Sequence, residues 1–227
     1  VNKTENTDWY EGSTLLYTLE KIHIASDQNH IDCRFPVQTV IRPKQDEYHD
    51  FRGYAGRVAG GVFRKGDEVA VLPSGFTSII QGIHTMNGEV EEAFAPMSVT
   101  MTLEDDIDLG RGDMIVRANN RPDVSQEVDI MLCWFNQTGP MPRAKFTLFH
   151  ASNEVKAMIT KVQYKLDINT LHRNEEDVDI RMNDILRVSV RTTKPLMKDS
   201  YRKNRLTGSV ILVDDSTNET VAAGMII

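Results

Sequence analysis

At 227 residues, 40% hydrophobic and 26% charged, the chain has the balance of an ordinary globular protein, long enough for one large core or two small ones. Its net charge of −7 is uneven: residues 1–120 carry 11 Lys/Arg against 19 Asp/Glu (−8), and residues 121–227 carry 15 against 14 (+1). An acidic first half disfavours nucleic acid as the main partner, because that affinity rests on cationic contacts; there is also no apolar run near the roughly 18 residues of a membrane helix.

The polar, acidic first residues do not read as a signal peptide. The distant Cys33 and Cys133, without C-x-x-C spacing, fit the reduced thiols of a cytoplasmic protein. The first predicted element is a helix over 9–24, capped by Ser13 or Thr14, with Leu15, Leu16 and Leu19 on one face. It is short and has no core of its own nearby, so residues 1–30 read as the tail end and linker of a domain that precedes residue 1. From Arg34 the hydrophobic period changes to two, with Val37, Thr39 and Ile41 alternating ahead of Pro43. The following stretch, "DFRGYAGRVAGGVFRKGDEVAVLPSG" (50–75), is punctuated by glycine like a nucleotide-binding loop. A P-loop, however, needs G-x-x-x-x-G-K-[ST], and no Gly-Lys pair occurs in the chain. It reads instead as short strands around Val69 and Val71, with turns at Lys65-Gly66 and Pro73-Ser74-Gly75. Asn87-Gly88 marks a hairpin, and "SVTMTLED" (98–105) puts Val99, Met101 and Leu103 on one face.

A polar joint, "ANNRPDVSQ" (118–126), precedes a second run of alternating segments. These are Val128, Ile130, Leu132 and Trp134; Ala144, Phe146 and Leu148; Val155, Ala157 and Ile159; Leu186, Val188 and Val190; and Val221, Ala223 and Met225. The expected fold is all-β: two consecutive small β-barrels, over 31–120 and 121–227, preceded by a short helix.

That order resembles the second and third domains of translation-factor GTPases. Several stretches are similar to one family in particular, the large GTPase subunit of bacterial ATP sulfurylase: "WYEGSTLL" (9–16), "RFPVQTVIRP" (34–43), "DFRGYAGRVAGG" (50–61), "YKLDINTL" (164–171) and "DSYRKNRLTGSVILVDDSTNETVAAGMI" (199–226). The loop "KQDEYHDF" is longer than the family leads one to expect. Asn2-Lys3-Thr4-Glu5 and Asp50-Phe51-Arg52-Gly53 imitate GTPase motifs without their context. The resemblance implies a parent that binds GTP and Mg²⁺ and uses GTP hydrolysis to drive adenylyl transfer from ATP to sulfate, giving adenosine 5′-phosphosulfate. The adenylyl chemistry would reside in a separate small subunit. The two barrels would be a non-catalytic fragment without cofactors of its own, docking on its GTPase domain and on the small adenylyltransferase subunit. An alternative is the corresponding pair of domains from an elongation-factor-like GTPase that binds aminoacyl-tRNA; the acidic first barrel and "YKLDINTL" argue against it. A self-contained enzyme with a site between the barrels would need a nucleophile–base or metal cluster that the sequence does not display.

No catalytic, cofactor or metal residue is assigned. Two stretches are candidate interfaces. Arg52-Gly53-Tyr54 is similar in position to the loop by which such second domains meet the GTPase domain, with Arg52 placed to pair with a carboxylate there. In "KPLMKDSYRKNRL" (194–206), Lys194, Lys198, Arg202, Lys203 and Arg205 surround Tyr201 as a basic patch facing the small subunit or a phosphate. Glu104, Asp105, Asp106 and Asp108 form a solvated turn in preference to a cation site, and Arg111-Gly112-Asp113 a hairpin turn. The histidines at 23, 30, 49, 84, 150 and 172 lack ligand spacing, His23, His30 and Cys33 being the nearest approach to a zinc pattern.

Overall fold

The computed structural model describes residues 5–22, 29–43, 51–141 and 144–227. A 3-10 turn at Glu5–Thr7 and helix α1 (Leu15–Lys21) precede two groups of strands. The first group is β1 (Arg34–Ile41), β2 (Gly53–Arg57), β3 (Val62–Arg64), β4 (Glu68–Leu72), β5 (Thr77–Thr85), β6 (Gly88–Val90), β7 (Glu92–Phe94), β8 (Ser98–Leu103) and β9 (Met114–Arg117). The second is β10 (Asp123–Trp134), β11 (Phe146–His150), β12 (Asn153–Leu166), β13 (Arg173–Asn174), β14 (Ile185–Lys198), β15 (Ser209–Asp214) and β16 (Thr220–Ile226).

Each group closes into a six-stranded antiparallel barrel. The first runs β4-β9-β1-β2-β8-β5 and returns to β4, with β6 added at β5 and β3–β7 as a separate ribbon. The second runs β11-β15-β16-β10-β14-β12 and returns to β11, with β13 added at β12. The first core contains Phe35, Val37, Val69, Val71, Val99, Met101 and Leu103; the second contains Val128, Ile130, Leu132, Trp134, Phe146 and Leu148. Closure leaves few open sheet edges, which explains why short alternating strands suffice.

The helix is shorter than 9–24. Only Leu15–Lys21 is helical, and Thr14 rather than Ser13 caps it, its Oγ1 accepting from Tyr17 N at 3.2 Å. Residues ahead of the cap are held in turns of their own, Trp9 Nε1 donating to Asn6 O (3.0 Å) and Tyr10 OH to Ser13 O (2.9 Å). Leu15, Leu16 and Leu19 are 76%, 63% and 59% exposed, so no packing extends the helix. Residues 23 and 24 lie outside the described residues.

Two alternation patterns and one turn shift for local reasons. In β1 the register jumps from Val37↔Gly56 to Thr39↔Ala55, so Gln38 bulges, and Val40 rather than Ile41 reaches the core. In β16 a register shift puts Ala222 opposite Leu212 and Thr220 opposite Val213; Ala222 and Ile226 are then buried, while Met225 is exposed. The hairpin turn is Met86-Asn87, with Gly88 at φ +117° pairing with Thr85 as the first residue of β6.

A third apolar cluster lies between the barrels. Ala70 and Leu72 of β4 and Met114 and Val116 of β9 pack with Met197 of β14. These two strands are therefore covered on both faces, which is why "VAVL" and "MIV" are uninterrupted apolar runs.

Candidate functional site

The seam between the barrels concentrates the buried charge of the molecule. Arg34 opens β1 and is 0% exposed. Its Nε and Nη2 donate to the two carboxylate oxygens of Asp199 at 2.8 and 3.0 Å, a bidentate pair across 165 residues of sequence. Its Nη1 donates to Cys33 O (2.9 Å) and to Asn120 O and Oδ1 (2.7 and 2.9 Å). Asp199 also accepts from the Thr207 hydroxyl at 2.8 Å. Burial by itself would raise the Asp199 carboxyl; the bonds from Arg34 and Thr207 and the charge of Lys203 overcome it and hold the pKa below the ordinary carboxylate range.

Further contacts extend the seam. Asn204 Nδ2 donates to Ala59 O of the first barrel at 2.9 Å. Lys203 Nζ meets Asp32 at 2.9 Å, and Asn29 Nδ2 bonds both Asp32 Oδ2 (2.7 Å) and Lys203 O (2.9 Å). A Cβ on Gly60 would stand 2.6 Å from Asp32 O and 2.8 Å from Asn204 Nδ2, so only glycine lets the loops approach this closely. His150, 1% exposed, holds Thr207 O through Nε2 at 2.7 Å. The network joins Asn29, Asp32 and Arg34 to Asp199, Lys203 and Asn204, with two cations against two carboxylates.

The basic stretch therefore divides. Lys198 pairs with Asp123 of its own barrel. Lys203 and the embedded Asp199 belong to the seam, while Arg202 is exposed and Lys194 lies within β14. Arg205 O accepts from Ser209 Oγ at 2.8 Å, which shapes the turn into β15. The segment 199–208 is thus in large part an internal contact, not a free basic loop.

Arg52 is likewise engaged within its own barrel. Its guanidinium bonds Asp106 and also Asp108 (2.9 Å), and it lies 5.7 Å from the Tyr54 ring. Tyr54 OH donates to Ile107 O at 2.7 Å. A docking carboxylate would have to displace Asp106 or Asp108, both solvent-exposed. Asp105 accepts from Ser78 Oγ at 2.8 Å, so three charges of the acidic run already have partners. Gly53 pairs with Ile41 inside a sheet, and Thr100 Cγ2 and the Phe51 ring fill the space above it, so it does not fit a phosphate cradle. In the Arg111-Gly112-Asp113 turn, Asp113 accepts from Gly110 N at 2.8 Å. Among the described residues no three His, Cys, Asp or Glu converge as metal ligands; His23 and His49 lie outside those residues. No helix among them is long and apolar enough to cross a membrane.

Sequence reasoning missed the seam. Its signal was a lone Arg inside the apolar run "C-R-F-P-V", together with one Asp inside a basic stretch.

Comparison with known proteins places this architecture. Residues 127–227 match the family model described as GTP-eEF1A C-terminal domain-like. The whole chain is 49% identical to the bifunctional enzyme CysN/CysC of Mycobacterium tuberculosis, covering 37% of that protein. It is 45% identical to sulfate adenylyltransferase subunit 1 of Bacteroides fragilis, covering 47% of it. The chain thus spans less than half the length of these curated relatives. Among solved structures, sup35 complexed with GDP superposes with a TM-score of 0.75 at 18% identity, over 96% of this chain and 52% of that one. The elongation factor SelB from Methanococcus maripaludis does so at 0.66 and 16% identity, over 94% and 45%. Likeness at that level of identity speaks to the fold alone.

Proposed function

We propose that this chain, homologous along its whole length to part of sulfate adenylyltransferase subunit 1 and matching the GTP-eEF1A C-terminal domain-like family over residues 127–227, acts as the non-catalytic two-barrel portion of such a subunit. In this reading the parent couples GTP hydrolysis, with GTP and Mg²⁺ held by its GTPase domain, to formation of adenosine 5′-phosphosulfate from ATP and sulfate in the cytoplasm. The barrels bind the GTPase domain on one side and the small adenylyltransferase subunit on the other.

Full-length identity of 42–49% to proteins of this kind carries the reading. The seam supports it mechanically. Two barrels joined through a buried bidentate ion pair and an apolar cluster present fixed surfaces, which a nucleotide-dependent displacement can move together. The exposed apolar face of α1 (Leu15, Leu16 and Leu19), with the exposed Trp9 in the turn ahead of it, is of the kind that a neighbouring domain covers.

The test is calorimetry of this chain with the separately produced small adenylyltransferase subunit, at low and high salt. Saturable binding that weakens with salt is expected. A folded chain that shows none removes the small subunit as its partner, and strong salt-dependent binding of aminoacyl-tRNA instead would point to the elongation-factor alternative.

A further inference from the structure

A cleft of about 540 Å³ opens on the second barrel, away from the residues of the seam. Phe146, Ile159, Val162 and Ile180 supply its apolar lining, beside Lys161 and Arg181. The size is in the range of ligand and anchor pockets. Among the described residues the lining carries Lys161 and Arg181 against Asp179, a local excess of positive charge in a chain of net charge −7.

Both walls are pinned. On one side Trp134 Nε1 donates to Thr138 O at 3.0 Å, and Gly139 sits so close to Ile180 O that a Cβ would lie 2.3 Å away. On the other, Lys165 Nζ bridges Asp177 (3.0 Å) and Asp184 (2.9 Å), and Arg181 N donates to Asp184 Oδ2 at 2.8 Å. The cleft is thus preorganised.

The barrel wall itself parts here. β12 pairs with β11 only as far as Ala157 and with β13 only from Lys165. Between those points, residues 158–164 have β14 as their only strand partner among the described residues. Register shifts between Ile159 and Lys161 and between Val162 and Tyr164 bend this edge, which makes it a poor template for an added strand. Recognition must then come from side chains.

We propose that this cleft receives an acidic segment of the partner subunit that carries one apolar anchor. The anchor enters among Phe146, Ile159, Val162 and Ile180, and a flanking carboxylate is taken up by Lys161 and Arg181. The inference rests on the partner-binding reading above and names the surface and the chemistry that serve it.

Calorimetry of the full chain with the small adenylyltransferase subunit tests it, comparing wild type, the pair Lys161→Glu/Arg181→Glu, and the first-barrel pair Arg64→Glu/Lys65→Glu. The cleft pair is expected to weaken binding by about tenfold or more and to lessen its salt dependence. The first-barrel pair should stay within about twofold of wild type, and unchanged thermal melting of all three establishes that they are folded. Saturable wild-type binding that the cleft pair leaves within about twofold overturns the cleft as the docking site. Absence of saturable binding by wild type overturns the partner reading itself, and this inference with it.

Discussion

At the scale of the residue, burial decides what each charge does. Arg34 and Lys161 are both cations on strands, yet one is sealed in the seam and the other borders an open cleft. His150 shows the consequence for pH. Burial pushes its pKa below the ordinary value of about 6.5, against the opposing effects of its bond to Thr207 O and the nearby Asp199, while Lys198 lowers it further. The unfolded chain therefore takes up a proton on His150 at a pH where the folded chain does not. Its stabilising contribution is complete above about pH 6.5 and declines as pH falls towards the lowered folded value. Asp199, also lowered, adds a loss of the same sign at more acidic pH. Urea midpoints measured from pH 8 to pH 5 should fall for wild type and fall less for His150→Gln, whose amide can still donate to Thr207 O. Parallel profiles would show that His150 is not the titrating group.

At the scale of the element, the turn between β14 and β15 is the part whose shape matters most to the whole. Tyr201 N donates to Ile226 O (2.9 Å), Ile226 N donates to Gly208 O (2.7 Å), and Asn204 Oδ1 accepts from Leu206 N and Thr207 N. Gly208 closes the turn against the Tyr201 backbone, where a Cβ would lie 2.4 Å from Tyr201 Cα. Backbone cannot yield as a flexible side chain can. Gly208→Ala should cost about 1–3 kcal/mol of unfolding free energy in urea titrations; a loss within the error of the midpoint would mean that the turn relaxes freely. The alternation in "SVTMTL" was legible because β8 pairs with β2 without a register shift, so Val99, Met101 and Leu103 all reach the core, although Thr102 is buried as well. The patterns in β1 and β16 slipped because a bulge moves every later side chain to the opposite face, and no residue type announces it.

At the scale of the whole molecule, the seam is expected to make the two barrels unfold as one. Arg34→Met or Asp199→Leu leaves a buried charge without its partner, which costs about 3–5 kcal/mol, whereas the double substitution should recover much of that loss. Unfolding followed by Trp134 fluorescence and by circular dichroism should coincide in wild type and separate in the single variants. A double-mutant cycle with no coupling energy would show that the ion pair does not join the barrels.

The all-β class, the two barrels and the family to which they are related were legible in the amino-acid sequence alone. Alternation with period two, turn residues and family motifs are local signals, and they suffice for local structure. Folding was needed to bring Arg34 to Asp199, to hold Arg52 with Asp106 and Asp108, and to part β12 from β11 while β12 stays paired with β14, opening a cleft beside Lys161 and Arg181. Those outcomes depend on which distant segments closure brings together and on how much water remains around them. A charge reads the same in sequence whether it ends in solvent or in a core; folding assigns its dielectric surroundings and its partner.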